Sequence, residues 1–244
     1  MLMLRVTPIH FTDHLGSWTS LLEALGLVHA VNSDGWHEFD SASGRVRLHA
    51  TDADHPSGTT LLSFEVGDLD EFTRRTREAG TAVVMTEEGH GSTATITGPD
   101  GLSFPVTAQS PRPEPAQADP ALQVLVLWMT PEPQGPAETL RNIGARPQIA
   151  SDSGGWVQFR AKNGGLVATH SGTRAFATLS FEYDDDAEVL LTRLQTAGLG
   201  ASLVDESYGR TVLVEHPDGG EPIWINEAQQ DLYGYHRLAG AGGE

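Results

Sequence analysis

The sequence contains no cysteine, few basic residues and no apolar run of membrane-spanning length. Without cysteine, disulfide bonds, thiolate metal sites and thiol catalysis are excluded. Only 15 lysines and arginines accompany 33 acidic residues, which gives a formal net charge of −18. Nucleic-acid binding depends on basic side chains that contact phosphates, so DNA and RNA are not expected partners, and neither is a membrane. These features predict a cytoplasmic protein whose acidic surface favours cationic ligands.

The same order of short motifs occurs twice along the chain. The repeated motifs are SDGWHEFDSASG (33–44) and SGGWVQFRAKNG (153–164), LLSFEVGD (61–68) and TLSFEYDD (178–185), and GPDG (98–101) and HPDG (216–219). Because the order is kept and each pair is separated by about half the chain, the sequence predicts two repeated domains.

A proline-rich segment separates the two copies and is typical of a linker. With 244 residues and a hydrophobic content of 39%, each copy is long enough to bury its own core. We therefore expect domain 1 at 1–109, a linker at 110–120, domain 2 at 121–228 and a loosely docked C-terminal tail at 229–244.

Hydrophobic spacing predicts the elements inside each domain. Trp18, Leu21, Leu22 and Leu25 fall at i, i+3, i+4 and i+7, which indicates an amphipathic helix that ends at Gly26. Short strand-like segments follow it, separated by turns. The order β-α-β-β-β occurs four times in the chain. The predicted fold class is α+β, with four βαβββ modules that form two tandem domains with cup-shaped mixed sheets.

The four modules, the SFEV and SFEY strands and the PDG turns resemble the vicinal oxygen chelate superfamily, which includes glyoxalase I, extradiol dioxygenases and bleomycin-resistance proteins. The resemblance implies glyoxalase-like domains whose cups hold a small molecule. For catalytic members it also implies a divalent metal, held by a histidine early on a module's first strand and a glutamate after the PDG turn. The matching positions here are Val6, Leu61, Pro105, Val124, Thr178 and Ile223. None is a metal ligand, so no metal cofactor is expected there.

Strand alternation predicts which side chains face each cup. Domain 1 is expected to present His10, Trp36, Glu38, Arg47, His49, Ser63 and Glu65. Domain 2 is expected to present Val126, Trp128, Trp156, Gln158, Val167, Thr169, Ser180 and Glu182. His90 and Tyr208 each precede a glycine, and we expect them either to close over a ligand or to serve only as turn residues.

Each predicted cup combines an indole with a carboxylate, Trp36 with Glu65 and Trp156 with Glu182. This combination suits a cationic or aromatic ligand. Two alternatives stay open at this point: the tryptophans are ordinary core residues, and Glu65 forms a salt bridge with Arg47.

Three functions fit these features. The first is a metal-independent binding protein for a natural-product or drug-like small molecule. The second is an enzyme, either a lyase or dioxygenase with a displaced divalent metal at His10, His49 and Glu65, or a metal-free isomerase with His10 and Glu65 as its catalytic pair. The third is a scaffold whose cups are filled by side chains. A monomer is sufficient because one chain supplies four modules, and a homodimer is also compatible.

Overall fold

The computed structural model describes residues 3–88, 91–110, 117–206, 209–229 and 232–238. Within these residues the order of one strand, one helix and three strands occurs four times, with the first strand interrupted in the first two modules. The predicted α+β fold of four βαβββ modules is therefore confirmed.

The bounds of the elements follow the modules. Module 1 consists of β1 (Arg5–Val6), β2 (Ile9–Thr12), α1 (Leu15–Leu25), β3 (Val28–Ser33), β4 (Trp36–Asp40) and β5 (Arg45–Ala50). Module 2 consists of β6 (Thr59–Leu61), β7 (Phe64–Val66), α2 (Leu69–Glu78), β8 (Val83–Glu88), β9 (Gly91–Thr97) and β10 (Ser103–Ala108). Module 3 consists of β11 (Leu122–Thr130), α3 (Gln134–Asn142), β12 (Arg146–Ser151), β13 (Trp156–Arg160) and β14 (Leu166–Ser171). Module 4 consists of β15 (Phe176–Tyr183), α4 (Ala187–Thr196), β16 (Ala201–Glu206), β17 (Gly209–Val214) and β18 (Ile223–Glu227), and β19 (Tyr235–Arg237) follows it.

All four modules share one sheet topology. The first strand lies parallel to the last, as in β2 with β5 and β11 with β14, and the other pairs are antiparallel. Modules 1 and 2 join through their first strands, β2 with β6, and modules 3 and 4 join through β11 and β15. The parallel pairs arise because a helix carries the chain across the sheet before the module returns to its first strand.

Helix boundaries follow the chemistry of their end residues. The buried face of α1 is the predicted stripe of Trp18, Leu21, Leu22 and Leu25, and the helix ends at Gly26, whose φ of 96° favours glycine. No helix among the described residues is long and apolar enough to cross a bilayer.

Residues 235–237, within the predicted C-terminal tail, form the edge strand β19. This strand pairs antiparallel with β12, where Ile149 lies opposite Arg237 and Ser151 opposite Tyr235. Backbone hydrogen bonds therefore dock this part of the tail on the sheet of domain 2.

Side chains alternate between the helix-packed face of each sheet and the opposite face, which we call the cup face. On β5, Val46 and Leu48 belong to the helix-packed core, so Arg45 and Arg47 lie on the cup face. On β15, Phe181 belongs to that core, and its neighbours in the strand point to the cup.

The predicted alternation is wrong by one residue on β2, β11 and β14. Apolar Ile9 and Phe11 are expected on the helices, but Phe11 stacks on His55, with ring centroids 4.2 Å apart, while His10 packs on Trp18 of α1 at the same distance. Trp128 lies in the helix-packed core, and Thr169 lies on the same face of β14 as Val167, which belongs to that core. The residues that lie on the helix-packed face and not in a cup are His10, Val126, Trp128, Val167 and Thr169.

Candidate functional site

The cup of domain 1 contains a buried cluster of charged side chains. Arg45 donates from Nη1 to both carboxylate oxygens of Glu65, at 3.0 and 3.2 Å, and from Nε to Asp40 at 2.6 Å. Arg47 also donates to Glu65, so the predicted alternative of a Glu65–Arg47 salt bridge is confirmed. Arg45 and Glu65 are fully buried. The two guanidinium groups therefore form one network with the carboxylates of Glu65, Asp40 and Glu38.

Trp36 belongs to the same cluster. Its indole Nε1 donates to Glu38 at 3.0 Å, and the guanidinium of Arg47 lies 5.9 Å from the ring centroid. The ring of His49 lies edge-on to the indole at 5.5 Å. The indole and the carboxylate of this cup are thus engaged by neighbouring side chains.

The cup of domain 2 places an equivalent carboxylate in a different environment. Glu182 accepts hydrogen bonds from the carboxamides of Gln158, at 3.0 Å, and Gln123, at 3.3 Å. Among the described residues it forms no ion pair. Burial raises the pKa of Glu182, although the hydrogen bond from Gln158 and the charge of Arg160 act in the opposite direction.

Apolar side chains form the floor of this second cup. Leu125, Leu166 and Ala168 are fully buried and form a cluster separate from the helix-packed core. Trp156 is half-buried at its edge, and the ring of His170 lies edge-on to this indole at 5.5 Å. The cup therefore combines an apolar base, an aromatic edge and a carboxyl group that forms no ion pair with the part of the chain described.

The PDG turn of each domain docks on the other domain. Asp218 of domain 2 accepts four hydrogen bonds from domain 1. They come from Thr12 at 2.5 Å, Ser57 at 2.5 Å, Trp18 at 2.6 Å and His10 at 2.8 Å. Burial alone would raise the pKa of Asp218, but these hydrogen bonds together hold it well below its ordinary value.

The equivalent turn of domain 1 makes a simpler contact. Asp100 accepts a hydrogen bond from the indole Nε1 of Trp128 at 2.9 Å. Gly98 lies under that indole, where a Cβ would come within 2.5 Å of Trp128 Cη2. The two turns thus share an indole-to-carboxylate hydrogen bond and differ in the residues around it.

Gly98→Ala is therefore expected to destabilise the protein by about 1–3 kcal/mol, because an added methyl group overpacks this contact. Urea unfolding measures the effect. Gly16→Ala is the matched control, since a Cβ there meets nothing within 4 Å and alanine favours the helix α1. Equal stability of the Gly98 variant and the wild type would contradict the described packing.

Comparisons with known proteins identify the fold of the chain. No protein-family model and no curated protein matches the sequence. The structure is similar to the 2,3-dioxygenase LapB from Pseudomonas sp. KL28, with a TM-score of 0.64, 14% identity and coverage of 94% of this chain and 92% of that one. It is also similar to a catechol 2,3-dioxygenase, with a TM-score of 0.63, 14% identity and coverage of 98% and 94%. A third similar structure is the Mn(II)-bound glyoxalase from Novosphingobium aromaticivorans, with a TM-score of 0.61, 15% identity and coverage of 94% and 82%.

The chain has the vicinal oxygen chelate fold. At 14–15% identity the similarity establishes the architecture, and activity has to be argued from the side chains present.

The metal implied by the vicinal oxygen chelate fold does not fit the donors in either cup. In domain 1, the guanidinium groups of Arg45 and Arg47 occupy the neighbourhood of Glu65 and would repel a cation. In domain 2, the carboxamides of Gln123 and Gln158 turn their N–H groups towards Glu182, and the leucines beside it are apolar, so these neighbours add no histidine or second carboxylate to it. A divalent cation needs several oxygen or nitrogen donors that converge on one point.

The displaced metal set of His10, His49 and Glu65 is not assembled by this vicinal oxygen chelate fold. His10 lies on the opposite face of its sheet from Glu65, and His49 Nδ1 contacts the carbonyl oxygen of Ala50 at 2.5 Å. The same separation prevents His10 and Glu65 from acting together as an acid–base pair. Both predictions are wrong because they depend on the incorrect alternation of β2.

Other predicted residues are placed as follows. Ser63 and Ser180 are buried beside Glu65 and Glu182, and the hydroxyl of Ser180 donates to the carbonyl oxygen of Trp224 at 2.7 Å. His90 and Tyr208 lie outside the described residues, so their predicted role in closing over a ligand stays a prediction.

Sequence reasoning did not identify four residues that matter in these sites. Arg45 is two residues before Arg47 and lies on the same face of β5, so strand alternation alone could have predicted it in the cup. Gln123 was hidden by the incorrect alternation on β11. His216 and Asp218 belong to a recognised turn, but no local pattern indicates that this turn docks on the other domain.

Proposed function

We propose that this protein binds a small organic cation with an apolar body in the cup of domain 2, without a metal in that cup. The observation that carries the proposal is the carboxyl group of Glu182. Unlike its counterpart Glu65, it has two carboxamide donors and makes no ion pair within the described residues.

The comparison of the two cups gives the physical reason. In domain 1, Glu65 is paired directly with the guanidinium groups of Arg45 and Arg47, which would repel a ligand cation that approached this carboxylate. In domain 2 the same carboxylate position is buried with hydrogen-bond donors, and no basic side chain of the described residues lies at ion-pair distance from it. A buried carboxylate is costly to ionise unless it is paired, and a ligand ammonium group supplies that pairing.

The surroundings of Glu182 suit the rest of such a ligand. Trp156, which is half-buried, offers an indole at the edge of the cup, and the fully buried Leu125, Leu166 and Ala168 make the base behind it apolar. Pockets for small molecules are mostly apolar with a few polar groups that fix orientation. A cation near an indole face gains further stabilisation.

An enzyme is the second candidate function, favoured by the raised pKa of Glu182. Such a carboxyl group is suited to proton transfer as a general acid or base. Catalysis predicts that a bound compound is converted and that Glu182→Gln abolishes conversion, whereas a binding protein returns the ligand unchanged.

Calorimetric titration of chelator-treated protein tests the proposal. The probes are aromatic amines, each matched to the alcohol of the same skeleton, beginning with phenethylamine and phenylethanol. Wild type is expected to prefer the amine, and Glu182→Gln is expected to weaken amine binding by at least about tenfold, or 1.4 kcal/mol. Trp156→Ala should weaken the binding of both the amine and the alcohol.

Glu138→Gln serves as the control because Glu138 is an exposed residue of the same domain, paired only with a surface arginine. It should bind both probes like the wild type. Absence of binding by all amines, or binding that disappears when a chelator removes metal, would contradict the proposal.

A further inference from the structure

A second cluster of chemically active side chains lies where the two domains meet, on the helix-packed face and away from both cups. His10 comes from β2 of domain 1, and His216 and Asp218 come from the PDG turn of domain 2. Each offers one ligand atom, and these atoms all lie within 4.8 Å of one another. The side chains of His10 and Asp218 are 1% and 2% exposed, and that of His216 is 14% exposed.

The remaining atoms of two of these side chains are held by other partners. His10 Nδ1 contacts the hydroxyl of Thr60 at 2.9 Å, and Asp218 Oδ1 accepts from the hydroxyls of Thr12 and Ser57. His10 Nε2 faces Asp218 Oδ2, which also accepts a hydrogen bond from the indole Nε1 of Trp18 at 2.6 Å. Outer partners of this kind fix the orientation of metal ligands, and a metal ion bound at Nε2 would replace the proton that His10 donates to Asp218.

The third side chain approaches the same oxygen. His216 Nδ1, which accepts a hydrogen bond from the backbone N–H of Asp218 at 3.2 Å, lies 3.8 Å from Asp218 Oδ2, and His10 Nε2 lies 2.8 Å from that oxygen. Two imidazoles and one carboxylate in such a group are a recognised ligand set for divalent transition metals, and three protein ligands leave a fourth position for water.

The equivalent contact of the other domain shows that docking the turn does not require these histidines. There Asp100 accepts one indole hydrogen bond, and the positions that match His10 and His216 are Trp128 and Gly98. The fold therefore holds a PDG turn in place without a single imidazole. The two histidines at Asp218 are additional to what docking needs.

We propose that His10, His216 and Asp218 form a binding site for a divalent transition metal, with Zn²⁺ the best match to the donor set. The ion would join domain 1 to domain 2. This site is separate from the cups, so it leaves the proposed binding of an organic cation unchanged.

Calorimetric titration of the untagged, chelator-treated full chain with Zn²⁺ alone tests this site. One ion is expected per chain, and binding should weaken at least about tenfold in His216→Ala. Zn²⁺ should also raise the thermal midpoint of the wild type and not that of His216→Ala. His236→Ala is the matched control, because His236 also pairs with a carboxylate, that of Asp152 at 2.8 Å, but on the exposed surface.

Unchanged circular dichroism of metal-free His216→Ala shows that a loss of binding is not a loss of folding. The proposal is overturned if the wild type binds no Zn²⁺, or if His216→Ala binds it as tightly as the wild type. Amine binding measured in chelator stays the same in His216→Ala in either case, so the two proposals fail independently.

Discussion

Glu65→Gln is expected to lower the free energy of unfolding by about 3–5 kcal/mol, since it removes the carboxylate that pairs with two buried guanidinium groups at once. Glu65 and Arg45 are both fully buried, and Arg47 contacts the same carboxylate. Arg45 is fully buried and Arg47 nearly so, and neither guanidinium group therefore regains full hydration when the carboxylate is lost. Urea unfolding at neutral pH measures the loss, and each kcal/mol corresponds to about 2–4 °C in thermal midpoint for a chain of this size.

The same substitution at the equivalent position of domain 2 is expected to act in the opposite direction. Glu182→Gln removes an ionisable group whose pKa burial raises, and the amide can keep a hydrogen bond within the cup. The wild type should therefore be less stable than this variant at neutral pH, in the absence of ligand.

The pH dependence of the stability change in Glu182→Gln follows from the direction in which burial shifts the pKa of Glu182. An acid with a raised folded-state pKa binds more protons in the folded state, so its stabilising contribution falls as pH rises from the unfolded value of 4.5 towards the folded value. The gain from Glu182→Gln should be largest near neutral pH and absent below about pH 4. If Glu65→Gln and Glu182→Gln destabilise the protein to the same extent, the two carboxylates do not differ in their pairing as described.

Asp218→Ala is expected to cost about 3–5 kcal/mol in the metal-free protein, because it leaves several buried donors unpaired at once. Trp18 and His10 are fully buried and both donate to Oδ2, and Thr12 is buried as well. Urea unfolding in chelator measures the change.

Asp100→Ala is the matched variant at the other turn, where one indole loses its acceptor. It should cost about 1–3 kcal/mol. The difference between the two variants reports the extra hydrogen bonds of Asp218. If the two variants lose the same stability, the four-donor arrangement at Asp218 does not exist in solution.

The module order was predictable from the sequence because each signal is local. The helix α1 shows an apolar stripe with a glycine stop, and Asp68 caps α2 by accepting from the backbone N–H of Glu71. The internal repeat then extended each local prediction to the other domain.

The faces of β2 and β11 could not be predicted in this way. Alternation tells which residues share a face, but not which face meets the helices, and the apolar pair Ile9 and Phe11 suggested the wrong one. A histidine is tolerated against α1 only because Asp218, about two hundred residues later, supplies its hydrogen-bond partner. Such a long-range partner leaves no trace in the local pattern.

The candidate site was predictable in part for a similar reason. Strands β4, β7, β13 and β15 follow the predicted alternation, so Trp36, Glu65, Trp156 and Glu182 lie on the cup faces. The different electrostatics of the two carboxylates could not be predicted. They depend on Arg45 in one cup and Gln123 in the other, and both residues act through pairing across strands.

A crystal structure of metal-free protein soaked with phenethylamine shows directly whether Glu182 of domain 2 receives a ligand cation. The ammonium group is expected about 3 Å from the carboxylate of Glu182, with the phenyl ring beside Trp156. An amine bound at Glu65 in domain 1, or a cup of domain 2 that stays empty at saturating amine, would contradict the account.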